Sequence, residues 1–298
     1  MRVTRMDLDG KGTGSPEGIV TAILKMETDL SIPVPIELLC QQLDIEKIAE
    51  LETDAFEGGL ITDTTRSSGV VLVNRTRPRK RQRYTIGHEL GHFLIPTHIP
   101  NADGRFLCSR DDMARLSAKE GERRARMEVE ANKFASLILI PPPIFRKHLG
   151  ALGQSDLAHI SQLAQRYDVS KDAMARAYAT YHTDSIAIVV CKDGKILRHS
   201  CDRVRFPFLQ PSYGAPVPGG SLYHRTSRTP GTLSGICGCM PDLWINVERG
   251  KRAPDLFEQV YAQRDGYGLL MLRLEKPDED EEEEERDLEE SWRVGFRR

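Results

Sequence analysis

The segment Tyr84-Thr85-Ile86-Gly87-His88-Glu89-Leu90-Gly91-His92-Phe93-Leu94 holds two histidines four residues apart, with a glutamate directly after the first. On a helix, positions i and i+4 share a face, so His88 and His92 can present imidazole nitrogens to one ion. Glu89 lies beside them, within reach of a water on that ion. Zinc lowers the pKa of such a water to about 7, and a carboxylate can take its proton as it attacks a carbonyl. The chemistry open to this set is metal-assisted hydrolysis of a peptide bond. Zinc (Zn2+) is the expected ion, and the same donors accept manganese (Mn2+) or another divalent ion. Ile86, Leu90, Phe93 and Leu94 supply an apolar stripe that would bury the helix. Gly87 and Gly91 each cost roughly 1 kcal/mol of helix propensity against Ala and leave room for another backbone.

A catalytic zinc takes three protein ligands and keeps a fourth position open. The best source of the third is Glu128-Val129-Glu130-Ala131-Asn132-Lys133-Phe134-Ala135. Glu128 and Asn132 share a helix face, so Glu128 could ligate while Asn132 hydrogen-bonds a ligand imidazole. Glu130 competes, but it points about 200° away from Glu128 around a helix, so only one of the two can face the metal. His98, Asp103 and Cys108 are further candidates between the two segments. A Cys108 thiolate could also fill the open metal position in a latent state. No residue of the sequence is assigned to stabilise an oxyanion; Tyr84, one turn before His88, is a weak candidate.

These residues need two helices held side by side. Ser15-Pro16 caps a first helix over 16–29, and Pro35 begins a short second one through Leu43. Residues 45–51, 58–62 and 70–73 read as strands. The site helix spans about 80–95 and ends at Pro96; 97–118 reads as an irregular loop. A long helix covers about 120–140 and stops at Pro141-Pro142-Pro143. Helices and short strands without a βαβ alternation indicate an α+β class. Residues 155–182 read as two short helices joined by a polar turn, in a helix-turn-helix-like pattern. From 184 the period changes to that of strands. Asp193-Gly194 and Asp265-Gly266 each mark a tight hairpin, giving a small β-rich domain.

The stretches RQRYTIGHELGHFLIP and EVEANKFASLILIPP, with Glu128 placed 36 residues after His92, resemble the ImmA/IrrE family of bacterial metallopeptidases. IPVPIELLCQQLDI, FEGGLI and GVVLVNRT precede them in the same order, and LAQRYDVSKDAMARA follows, so the likeness covers about 15–180. The resemblance implies a zincin-like fold with a gluzincin-type site. His88 and His92 would be metal ligands, Glu89 the general base and Glu128 the third ligand. It implies an endopeptidase that cleaves helix-turn-helix repressors of the XRE type, relieving repression of mobile elements or stress genes. It also implies a sensor-like C-terminal domain, for which it allows a GAF-like fold. The expected layout is a zincin-like metallopeptidase domain over 1–150 and a helix-turn-helix-like segment over 151–183. A β-rich domain over 184–277 and an acidic tail over 278–298 complete it. In zincins an edge strand can accept substrate backbone, and 70–73 is the strand expected to do so.

The chain has 298 residues, 39% of them hydrophobic, as in an ordinary globular protein. No run reaches eighteen apolar residues and no secretory h-region opens it, so a cytoplasmic location is expected and a membrane partner is not. Six irregularly spaced cysteines do not suggest a disulfide framework. The net charge of −2 hides a split: 278–290 carries eleven acids and one Arg, while 75–83 carries six basic residues in nine. The acidic run reads as a solvated segment. The basic run reads as a solvated face that could receive an acidic part of a partner. DNA contact through 155–182 is the weaker expectation. The alternatives to a repressor-cleaving peptidase are a DNA-binding or sensor regulator with a vestigial site, and the proteolytic toxin of a toxin–antitoxin pair.

Overall fold

The computed structural model describes residues 2–8, 14–63, 65–101, 103–115, 117, 119, 122–247 and 253–275. The acidic run and the Trp292–Phe296 segment, expected as a tail with a returning strand, lie outside the described residues. The chain forms two compact units, Met1–His148 with Ser161–Met174, and Leu149–Ile160 with Ala175–Arg298. Among the described residues, no helix is long and apolar enough to cross a membrane.

In the first unit, helix α1 (Pro16–Met26) starts where the sequence places it. Ser15 Oγ accepts from the Gly18 amide at 3.1 Å, and Pro16 occupies the first turn. Helix α2 (Ile36–Gln42) and strands β1 (Ile45–Leu51), β2 (Gly58–Thr62) and β3 (Gly69–Asn74) follow. Helix α3 (Arg79–Leu94) carries the two histidines. Then come strand β4 (Arg105–Cys108), a 3-10 turn at Asp112–Ala114, and helix α4 (Arg123–Leu139). The four strands lie in the order β1-β3-β2-β4, with β1 and β3 parallel and the other pairs antiparallel.

Three expectations change here. The strand at 70–73 is interior, flanked by β1 and β2, so it has no free edge; β4 is the edge strand on the site's side of the sheet. The loop at 97–118 contains that strand, which buries Phe106 and Cys108 and exposes Arg105 and Leu107. The proline run ends one helix and opens the next: α5 (Pro142–Gly150) begins on Pro142. Proline disrupts a helix interior, but in a first turn its missing N–H costs nothing.

Helix α3 is buried on nearly every side rather than along a stripe: Arg83 and Thr85 through Phe93 are all buried. It packs on β2 and β3 on one side and α4 on the other. The glycines allow this. A Cβ on Gly91 would lie 3.1 Å from the Phe134 ring and 3.3 Å from the Ala131 Cα. One on Gly58 of β2 would lie 2.2 Å from Thr85 Cγ2 and 3.0 Å from Glu89 Oε1, so only glycine lets the sheet come this close. At the C-terminus of α3, the Arg66 guanidinium donates to the Ile95 carbonyl at 2.7 Å and the His92 carbonyl at 3.3 Å. That cation satisfies helix-end carbonyls and complements the dipole.

The basic run at 75–83 is not a free patch. Arg77 and Arg81 pair with buried Glu57, and Arg75 pairs with Glu52. Arg79 and buried Arg83 both reach Asp168, and Lys80 donates to the Ala164 carbonyl at 3.3 Å. Its charges hold α3 in place within this unit.

Helices α6 (Leu157–Arg166) and α7 (Lys171–Tyr181) form the helical pair, and the division between the units falls within both. The Ser170 hydroxyl caps α7 by accepting from the Ala173 amide, and Asp168 takes φ +50° in the turn before it. In the second unit, β5 (Ser185–Lys192), β6 (Lys195–Cys201), β7 (Cys237–Cys239), β8 (Leu256–Ala262) and β9 (Tyr267–Leu274) form an antiparallel sheet. Its order is β6-β5-β9-β8-β7. Both Asp-Gly hairpins turn with positive φ at both residues. The core includes Phe206, Leu209, Val217, Tyr223 and Trp244 from the long segment between β6 and β8. The Pro- and Gly-rich stretch at 205–235 thus supplies apolar anchors.

Candidate metal centre

Helix periodicity puts His88 and His92 one above the other, with Nε2 atoms 3.1 Å apart. The close contact of α3 with α4 brings Glu128 Oε2 to 3.3 Å from His88 Nε2 and 3.5 Å from His92 Nε2. Cys108 Sγ completes the group at 3.7 Å from His92 Nε2, and all four ligand atoms lie within 4.8 Å of one another. All four residues are buried.

The outer hydrogen bonds set the proton positions. Asn132 Oδ1 lies 2.9 Å from His88 Nδ1 and also accepts from the Tyr84 hydroxyl at 2.8 Å. Asn132 Nδ2 donates to the Asp112 and Arg115 carbonyls, each at 2.9 Å, which fixes the amide's orientation. An amide oxygen only accepts, so His88 carries its proton on Nδ1 and leaves Nε2 bare. His92 Nδ1 lies 3.0 Å from His98 Nδ1, and His98 Nε2 lies 2.9 Å from Glu130 Oε2. The Glu130 carboxylate accepts from His98 Nε2–H, so His98 Nδ1 accepts from His92 and His92 Nε2 is bare as well. Burial also pushes the His92 imidazole down to about 3, so it is neutral at physiological pH.

Two bare nitrogens and a carboxylate oxygen therefore converge without a proton between them. Glu128 Oε2 and Glu89 Oε1 are buried with no hydrogen-bond partner. Such crowding of acceptors in a dry pocket is costly unless a cation sits among them. His88, His92 and Glu128 could hold a divalent ion here. Glu89, fully buried, lies beside the group, with Oε2 3.9 Å from Cys108 Sγ. Burial, and then the Glu128 charge, pushes its carboxyl well above the usual range; the Cys108 thiol opposes this. Loss of the Asn132 oxygen frees the His88 ring to turn, so Asn132→Ala should weaken metal binding by about 10–100-fold. Competition with a chelator of known affinity measures it.

The sequence profile of the IrrE N-terminal-like domain matches residues 40–178. The radiation response metalloprotease IrrE of Deinococcus radiodurans is 31% identical over 127 residues, covering 42% of this chain. Residues 40–178 thus resemble an ImmA/IrrE-family metallopeptidase domain. The match spans about a third of the relative's length, 35%.

Within this domain the candidates separate cleanly. His88, His92, Glu128 and Cys108 come together, with Glu89 at their side. Glu130 faces the other way and reaches the group only through His98. Asp103 sits in an exposed turn on Asn101. The Tyr84 hydroxyl is engaged with Asn132. Sequence reasoning missed His98 as the partner of His92, and Phe106, whose ring stacks on His92 with centroids 4.7 Å apart. Neither carries a signal at helical spacing from the motif.

Proposed function

We propose that the chain is a zinc-dependent endopeptidase of the cytoplasm that cleaves an XRE-type helix-turn-helix repressor, relieving repression in a stress or mobile-element response. The observation that carries the peptidase reading is the convergence of bare His88 Nε2, His92 Nε2 and Glu128 Oε2 beside the buried carboxyl of Glu89. A bound divalent ion supplies Lewis acidity and a nucleophile at neutral pH. Glu89 accepts the nucleophile's proton and returns it to the leaving amine; its raised pKa suits a group that must do both. Asn132 and the His98–Glu130 pair hold the two imidazoles in the tautomer that ligates. The exposed edge of β4 offers backbone groups for an extended substrate. Zinc is preferred because two imidazoles and one carboxylate form one of its common catalytic sets.

Support for the substrate comes from the family resemblance, and the Deinococcus relative is a radiation response metalloprotease. The second unit is proposed as the sensor-like part. The test is to incubate the zinc-loaded protein with purified XRE-type repressors from the same genome and read fragments by mass spectrometry. One repressor cut at a single bond, with EDTA blocking the cut, is the expected result. Intact repressors throughout, alongside cleavage of an unstructured casein substrate, would retain the peptidase and overturn the substrate.

A further inference from the structure

Cys108 lies in the metal centre without a part in the chemistry above. It ends β4, where its carbonyl accepts from the Glu57 amide at 3.0 Å, and its side chain is 1% exposed. Its sulfur points at polar atoms, His92 Nε2 at 3.7 Å and Glu89 Oε2 at 3.9 Å. A thiol has one weak proton to donate, and the His92 nitrogen beside it is bare and already crowded by Glu128. A merely structural thiol would find apolar neighbours.

Four of the six donor separations match a closed ligand shell. With zinc–nitrogen and zinc–oxygen bonds of about 2.0–2.1 Å and a zinc–sulfur bond of about 2.3 Å, tetrahedral donors stand roughly 3.3 Å apart, or roughly 3.6 Å where one is sulfur. The separations here are 3.1, 3.3 and 3.5 Å among the nitrogen and oxygen donors, and 3.7 Å from sulfur to His92. A second, independent sign is the buried Glu128 Oε2, which has no hydrogen-bond partner and points into the same group.

We propose that Cys108 is a fourth metal ligand, so that its thiolate closes the position a water needs and holds the enzyme latent until substrate binding displaces it. This rests on the metal-site reading above. On ligation the thiol loses its proton, as coordinating thiols do; His92 Nε2 is then engaged with the metal, so the proton goes to the Glu89 carboxylate, 3.9 Å from the sulfur. The sulfur–metal bond replaces the sulfur–hydrogen bond, and no oxidant or reductant is involved. Activation then requires that the thiolate leave the metal. Cys108 sits at the end of a four-residue strand that, among the described residues, pairs with β2 alone, so few backbone bonds resist its movement.

The test loads the full chain with cobalt(II) in place of zinc and records its absorption spectrum beside its metal content. About one cobalt per chain with an intense near-ultraviolet thiolate-to-cobalt band is expected, and the band is lost in Cys108→Ser. A Cys237→Ser/Cys239→Ser variant keeps it. X-ray absorption of the zinc-loaded wild type, which needs no variant to fold, should show one sulfur at about 2.3 Å. Bound metal with only nitrogen and oxygen neighbours, or a band that survives Cys108→Ser, overturns the thiolate and leaves the metal site standing. No bound metal in the wild type overturns both.

Discussion

Glu89→Gln is expected to keep about one metal per chain and to lower cleavage by about 10²–10⁴-fold, the usual share of a positioned general base. The amide has the carboxylate's shape, so the close packing of α3 on Gly58, Thr85 and Met113 survives. The side chain that changes is none of the proposed ligands. It does lose the ability to take a proton, in a pocket where burial and the Glu128 charge have tuned its carboxyl for that task. Elemental mass spectrometry beside a cleavage assay separates the roles. Loss of metal in this variant would make Glu89 a structural or ligating group. Full cleavage would remove it from the mechanism.

His92→Ala should abolish metal binding, a larger loss than the change at Asn132, because it removes a donor rather than the hydrogen bond that orients one. The metal-free protein should lose less stability than a buried imidazole usually commands. In the wild type His92 Nε2 stands 3.1 Å from His88 Nε2 and 3.5 Å from Glu128 Oε2, and removing it relieves that crowding. The costs are a cavity against Phe106 and a partnerless His98 Nδ1. Thermal unfolding with and without zinc reads both terms. At about 100 times its dissociation constant, zinc should stabilise the wild type by about 2.7 kcal/mol. The variant should show no zinc-dependent shift. A shift of wild-type size would exclude His92 from the ligand set.

The order of elements could be read along the chain because each announces itself locally. Ser15-Pro16 starts α1, and β-branched residues mark β3. Asp-Gly pairs turn both hairpins of the second unit. The spacing of His88 and His92 determines that they share a helix face, and Glu128 with Asn132 likewise, because helical period is a property of the backbone alone. The meeting of those two faces is a tertiary matter. It depends on Gly91 against Phe134 and Gly58 against Thr85, contacts between residues 43 and 27 positions apart.

The misplaced features share that cause. The 70–73 strand looks no different in sequence whether interior or at an edge; the pairing of β1 across it decides. The arginines of 75–83 read as a solvated face until Glu57 and Asp168 are brought beside them. Cys108 and His98 are single residues in an irregular stretch, without periodicity to orient them. Sequence by itself determined the helix faces and the kind of chemistry their residues can do. Tertiary packing decided which acid meets the histidines, which partners fix their protons, and that a thiol stands among them, because those are contacts between segments whose spacing only the folded chain sets.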